Sequence, residues 1–388
     1  MRNTYKTKIE KSMEALPIYF NNSVDIIFDA CRSCYAITKE MNYEEKKQYI
    51  SKRVACGHDS ILEHSNIMIL IKNFHHIFDQ DLVWLLTAEK MPCKYLQIRT
   101  AGADKLLNHS YRDSEYINIL IQGSIRGFKH FLKNAGDLKD NVLFSQILNA
   151  LYDCTVYEFF CDMKPEEYDF IEPDRFIKEL YNPFDPYTAE MNCNSLPVTD
   201  EEKDKIRVVN FDPDENIYDL ISEYGFTKED TIDMSTITVL FENMSRTATH
   251  QLVRHRNAIT QESQRYVDYS NAGFTVPKID YLKKTNQRFQ VKIGNSSYSI
   301  QLDQLGRDLC GIYKQLRDQG LKKEDARSFL PSNVQCHKLY MTFTRRSFNK
   351  FIELRTDIHA QSEIREYALL LQDKICLEES KPDETVES

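Results

Sequence analysis

The chain has 388 residues, a formal net charge of −9, 41% hydrophobic and 28% charged residues. At roughly 100–200 residues per domain this predicts two or three domains, or one elaborated one, with ample material for buried cores. The acidic balance excludes a general nucleic-acid binder, which needs a counterion-releasing basic surface, and no apolar run approaches the roughly eighteen residues of a membrane span.

The opening MRNTYKTKIEKSMEALPIYF has no apolar stretch long enough for a secretory leader, so a cytoplasmic protein is expected. Cys31 and Cys34 stand at CxxC spacing. No second pair accompanies them, so they read as a helical coincidence and no metal site is expected. YISKRVACG reads as a short helix reaching Gly57, and IMILI from Ile67 as a strand. His75-His76 lack partners at metal-ligand spacing and read as surface or packing histidines. Tyr116–Lys133 reads as a β-like apolar stretch followed by a helix that carries Arg126.

Six of the eleven prolines (Pro165, Pro173, Pro183, Pro186, Pro197 and Pro213) fall between Cys161 and Pro213, which predicts an irregular connector. Beyond it, YDLISEYG predicts a helix reaching Gly225, Ile237–Phe241 a strand, and Met244–Arg256 a helix. Phe289–Leu302 predicts a hairpin about Gly294-Asn295. Lys338–Glu353 repeats the strand-then-helix pattern, with Arg346 opposite Arg126. Ile364, Tyr367, Ala368, Leu371 and Ile375 follow helical spacing. The expected organisation is a first half over 1–160, a connector over 161–213, a second half over 214–376 and a disordered acidic tail over 377–388. The class is mixed α/β (α+β).

The densest polar cluster runs from Thr249 to Ser270. On a helix over Met244–Arg256, Gln251, Arg254 and His255 share one face. With Arg256, Ser263, Gln264 and Arg265 they offer guanidinium forks suited to phosphates and planar imide edges. Ser263 near His255 suggests nucleophile activation, but no third orienting group accompanies it.

Here the sequence resembles the flavin-dependent thymidylate synthases. Arg254-His255-Arg256 followed by Ser263-Gln264-Arg265-Tyr266 resembles their signature. Arg327, Leu330 and Pro331 resemble an Ala-Arg-x-x-Leu-Pro element. Arg355, His359, Ala360, Gln361, Glu363 and Ile364 resemble a Leu-Arg-x-x-x-His-Ala-Gln-x-Glu-Ile element. In the first half, Gly57, His58, Ser60, Glu63 and His64 resemble Gly-His-x-Ser-x-x-Glu-His. Three departures stand out. The spacer Asn257–Glu262 has six residues where the family usually has seven, Thr344 precedes Arg345-Arg346 where the family has Asn, and Lys350 stands where it has another Asn.

The resemblance implies a thymidylate synthase-complementing-protein-like fold that methylates dUMP to dTMP, with methylenetetrahydrofolate as carbon donor and FAD reduced by NADPH. It implies Arg355 as the catalytic residue, polarising the uracil ring. The implied dUMP ligands are Gln251, Arg254, Glu262, Ser263, Gln264, Arg265, Arg327 and Arg355. The implied FAD ligands are His64, Asn66, Arg254, His255, Arg256, Gln261, Arg346, Lys350 and His359. Hydroxymethylation of dUMP, methylation of UMP and a silent nucleotide-binding homologue remain as alternatives. The first half keeps Glu63-His64 without an Arg-His-Arg, and the second half the reverse. Two tandem, complementary copies, or one domain with a long insertion, account for this. The tandem reading implies a homodimer that acts as a pseudo-tetramer, with a homotetramer as the other possibility.

Overall fold

The computed structural model of the chain describes residues 14–20, 23–35, 37–74, 96–100, 117–134, 147, 150–151, 205–211, 215–255, 257–276, 286 and 288–379. His75-His76, Arg256 and most of the proline-rich connector lie outside the described residues. Two compact units form. One takes Met1–Phe28, Met41–Asn192 and Asp212–Thr236, and the other Asp29–Glu40, Cys193–Phe211 and Ile237–Ser388.

The first unit is built on β1 (Glu14–Phe20), β2 (Ile67–Phe74), β3 (Leu96–Thr100) and β4 (Ile117–Gly123), in the order β1-β2-β4-β3. Its neighbours pair antiparallel, with Leu70 opposite Leu120. Helix α1 (Ser23–Tyr35) begins in this unit and carries both Cys31 and Cys34. Helix α2 (Tyr43–Ala55) starts at a capping box, in which Asn42 and Glu45 each accept the other's backbone N–H. It ends before Gly57, whose φ of +84° suits a residue without Cβ. A 3-10 turn, Asp59–His64, then leads into β2. Helix α3 (Ile125–Asn134) follows β4 and buries Ile125, Phe128 and Phe131.

Helices α4 (Glu215–Ser222) and α5 (Lys228–Met234) also group with this unit. Ile221, Phe226 and Met234 pack with Met68, Leu70 and Leu120. The contiguous halves expected from the sequence are therefore redrawn: apolar packing assigns Asp212–Thr236 to the first unit and Asp29–Glu40 to the second.

The second unit carries β5 (Ile206–Phe211), β6 (Thr236–Ser245), β7 (Ala258–Gln261) and β10 (Gln335–Thr344), in the order β5-β6-β10-β7. β5 falls inside the stretch expected to be irregular, because IRVVNF is β-branched and apolar and pairs along β6. β8 (Arg288–Ile293) and β9 (Ser296–Gln301) form the expected hairpin about Gly294. Among the described residues the unit also holds α6 (Arg246–Leu252), α7 (Leu302–Asp318), α9 (Arg345–Arg355) and α10 (Ser362–Glu379), with the single turn α8 (Lys323–Ala326) after α7. The core gathers Ile237, Val239 and Phe241 of β6, Met341 and Phe343 of β10, Phe348 and Phe351 of α9, and the predicted α10 stripe from Ile364 to Ile375. Because α10 reaches Glu379, residues 377–379 are helical rather than part of a disordered tail. Among the described residues no helix is long and apolar enough to cross a membrane.

Candidate active site

Ser245, at the end of β6, caps α6: its hydroxyl accepts the Ala248 N–H at 3.1 Å. Its own N–H and hydroxyl donate to the two carboxylate oxygens of Glu363 at 2.6 and 2.5 Å. Glu363 lies in the first turn of α10, so the His-Ala-Gln-x-Glu element is tied to the start of the helix that delivers Arg254-His255. Sequence reasoning placed Glu363 in a motif without a role; a carboxylate in a helix's first turn, opposite a Ser N-cap, is the signal that points to one.

Helix α6 is shorter than expected. It ends at Leu252, and Val253–His255 form a 3-10 turn. The reason lies just downstream, where Ala258–Gln261 pair with Thr342–Leu339 of β10 and draw the chain into the sheet.

Arg355, the last residue of α9, reaches back to this turn. Its Nε donates to Nε2 of His255 at 2.9 Å, and its Nη1 donates to Oε1 of Gln251 at 3.4 Å. An accepting Nε2 fixes the neutral imidazole with its proton on Nδ1. Burial, and then the Arg355 charge, hold the His255 pKa below its ordinary value. Phe351, one turn earlier on α9, meets the His255 ring edge-on at 5.2 Å and fixes its plane. The helix C-terminus favours a cation at Arg355. Two of its five N–H donors serve His255 and Gln251, leaving three for a ligand.

A second group forms after β7. Ser263 builds a turn, accepting Tyr266 N–H at its carbonyl (3.0 Å) and Arg265 N–H at its hydroxyl (3.3 Å). Arg265 stands 3.7 Å from the Glu324 carboxylate of α8, while Arg327 Nε donates to the Glu324 carbonyl at 3.1 Å. Arg265 is exposed and Arg327 half-buried. Lys323 ties the turn to α8 by donating to the Tyr266 carbonyl at 2.8 Å. Glu262 and Gln264 are buried, and Gln261 donates to the Thr249 hydroxyl at 3.1 Å.

The structure thus gathers Gln251, His255 and Arg355 in one group and Arg265 and Arg327 around Glu324 in another, while Arg254 lies exposed in the 3-10 turn. Arg346 and Lys350 are exposed at four-residue spacing on α9, Lys350 paired with Glu353 at 2.9 Å. His359 is exposed in a turn closed on Asp357.

His64 and Asn66 belong to the first unit and are fully buried there. Burial lowers the His64 pKa to about 3, so the ring is a neutral core group in this conformation rather than an accessible ligand. Gln122 donates to the Asn66 side chain. Glu63 is held by Arg126, the second residue of α3, which also stands 3.3 Å from Asp59.

Residues 187–377 match the family described as thymidylate synthase complementing protein. The chain is 34% identical over 147 residues to the flavin-dependent thymidylate synthase of Pyrococcus furiosus, covering 37% of this chain and 56% of that protein. It is 33% identical over 160 residues to the enzyme of the same name from Pyrococcus abyssi (40% and 60% covered), and 33% over 142 residues to that of Geobacter sulfurreducens (36% and 56% covered). The chain thus spans somewhat over half the length of these relatives. A solved structure of the Helicobacter pylori ThyX complexed with FAD and dUMP aligns at 18% identity and a TM-score of 0.31, covering 44% of this chain and 92% of that one.

Proposed function

We propose, from the match of residues 187–377 to the thymidylate synthase complementing protein family, that the chain is a flavin-dependent thymidylate synthase converting dUMP to dTMP. The observation that carries this reading is the Arg355 guanidinium, held by His255 and Gln251 with donors to spare. Facing a uracil imide, a fixed guanidinium lowers the cost of negative charge on the ring and raises nucleophilicity at C5 without a covalent enzyme nucleophile. Arg254, Arg265 and Arg327 supply cations for the nucleotide phosphate. The exposed pair between Arg265 and Glu324 is weak, so a phosphate readily displaces the carboxylate. Ser263 shapes the turn that carries Arg265 and is a ligand rather than a nucleophile.

The surface suits FAD on one count: Arg346 and Lys350 line one exposed face of α9, a cationic pair at the spacing a diphosphate spans, with His359 exposed beyond it. Bound FAD, reduced by NADPH, supplies the hydride, and methylenetetrahydrofolate the carbon. His255, held neutral, orients Arg355 and keeps a second cation away from the ring.

The equal strand orders β1-β2-β4-β3 and β5-β6-β10-β7, with Arg126 and Arg346 each second in the helix after the third-listed strand, support two tandem copies. On that reading the chain forms a cytoplasmic homodimer in place of an ancestral four-subunit ring.

Visible spectra of the purified protein with added FAD, followed by dUMP titration, test the reading. Retained flavin whose bands shift on dUMP addition is expected. Protein that takes up neither refutes it.

A further inference from the structure

Helix α1 ends against the turn that carries Arg265, although its residues lie in the first part of the sequence. Three contacts, all within the second unit, join them. Cys34 Sγ donates to the carbonyl of Gln261, the last residue of β7, at 3.2 Å across 227 residues of sequence. Ser263 N–H donates to the Cys34 carbonyl at 3.4 Å. The rings of Tyr35 and Tyr266 lie 5.0 Å apart at 30°.

These contacts fall where the strand ceases to hold the chain. Ladder pairing with β10 ends at Gln261, and beyond it the Glu262 N–H donates to the Lys338 carbonyl at 3.0 Å. From Ser263 to Tyr266 the chain turns, with Lys323 of α8 fastening its far end. Cys34 thus holds the near end of this turn from α1 as Lys323 holds its far end from α8, and that near end sets where Ser263 and Arg265 stand. The helix is itself well anchored. Ala30 packs with Leu240 of β6 and Tyr340 of β10.

We propose that Cys34 and Tyr35 are positioning residues for the proposed nucleotide turn, so that the first part of the chain completes the dUMP site built by the second. The inference rests on the functional reading above, and adds to it a dependence on residues that carry none of the signature motifs. Burial, and then the Glu262 charge, push the Cys34 thiol up to about 11, so it stays a neutral S–H donor across the working pH range. Its part is to hold the Gln261 carbonyl, not to react.

The test uses the full-length chain and two measurements. Amide exchange over residues 261–267, without nucleotide, reports the fastening directly. Cys34→Ala and Tyr35→Leu should speed it roughly tenfold, while Cys34→Ser and Tyr35→Phe, which keep a donor and a ring, stay near wild type. Steady-state kinetics with FAD and dUMP then separate positioning from general damage. Both disruptive variants should raise KM for dUMP roughly tenfold with kcat within about twofold, and both conservative ones should restore it. A thermal midpoint close to wild type shows that each variant folds, and if one does not fold the other decides. Unchanged exchange in a folded disruptive variant overturns the proposal. So does a loss of kcat that the conservative variants fail to restore. Wild-type protein that binds no dUMP refutes the functional reading instead, and the exchange measurement alone then decides whether α1 fastens the turn.

Discussion

Arg355 and His255, a hundred residues apart in sequence, share one hydrogen bond of 2.9 Å in which the guanidinium donates and the imidazole accepts. The bond needs a neutral imidazole and a donor at Nε, which a lysine cannot supply while also reaching Gln251. Arg355→Lys is therefore expected to abolish turnover and to weaken dUMP binding, measured by calorimetry on FAD-loaded protein. Near-normal turnover in this variant would remove the ring-polarising role from Arg355.

The two histidines predict the acid limb of stability. His255 and His64 both carry folded-state pKa values below the ordinary 6.5, to about 3 for His64, chiefly through burial. As pH falls through 6.5 the unfolded chain takes up these protons first, so stability is full above 6.5 and is lost towards each folded-state value. Urea midpoints against pH should fall more steeply between pH 6.5 and 4 for wild type than for His64→Gln. Parallel profiles would show that His64 is not buried neutral.

Arg327 tests the phosphate assignment. Removing it leaves a nucleotide anion short of a cation, a cost of roughly 2–5 kcal/mol if that charge is desolvated and less if it stays wet. Titration of dUMP into Arg327→Ala should show weaker binding, with a shallower salt dependence than wild type. Wild-type affinity would show that the second arginine group serves another purpose.

Much of this arrangement could be read from residue order, for identifiable reasons. Gly294-Asn295 marks its hairpin because a tight two-residue connection needs positive φ, and Gly294 has a φ of +60°. The stripe from Ile364 to Ile375 marks α10 because one apolar face packs on the sheet. The end of α6 could not be read this way: the helical pattern continues past Leu252, and only the pairing of β7 with β10 stops it. Nor could Cys34, since no local pattern reveals a contact 227 residues away. α4 and α5 fall within the expected second half in residue order, yet Ile221 and Met234 pack with Met68, Leu70 and Leu120.

Ser245 and Glu363 should behave as a coupled pair. Ser245→Ala removes a helix cap and costs about 1 kcal/mol from that loss alone. Glu363→Ala leaves the Ser245 N–H without its acceptor and should cost roughly 1–3 kcal/mol. Denaturant unfolding of the single and double variants should give a coupling energy above about 0.5 kcal/mol. Additive effects would mean that α10 is not held through this carboxylate.

Two glycines separate strain from crowding. A Cβ at Gly57 meets nothing within 4 Å, so Gly57→Ala should cost only about 1–2 kcal/mol of left-handed backbone strain. A Cβ at Gly306 would fall 2.3 Å from Cγ of Phe274, so Gly306→Ala must displace an aromatic ring and should be the more damaging. Unfolding midpoints in the reverse order would contradict the packing of α7 against that ring.

The most direct test of the account is release of the C5 hydrogen from labelled dUMP by the FAD-loaded chain with NADPH and methylenetetrahydrofolate, read together with product mass. The account predicts release that matches formation of a product with the mass of dTMP, and none from Arg355→Lys. Flavin-loaded wild-type protein that binds dUMP yet neither releases that hydrogen nor yields dTMP would contradict it.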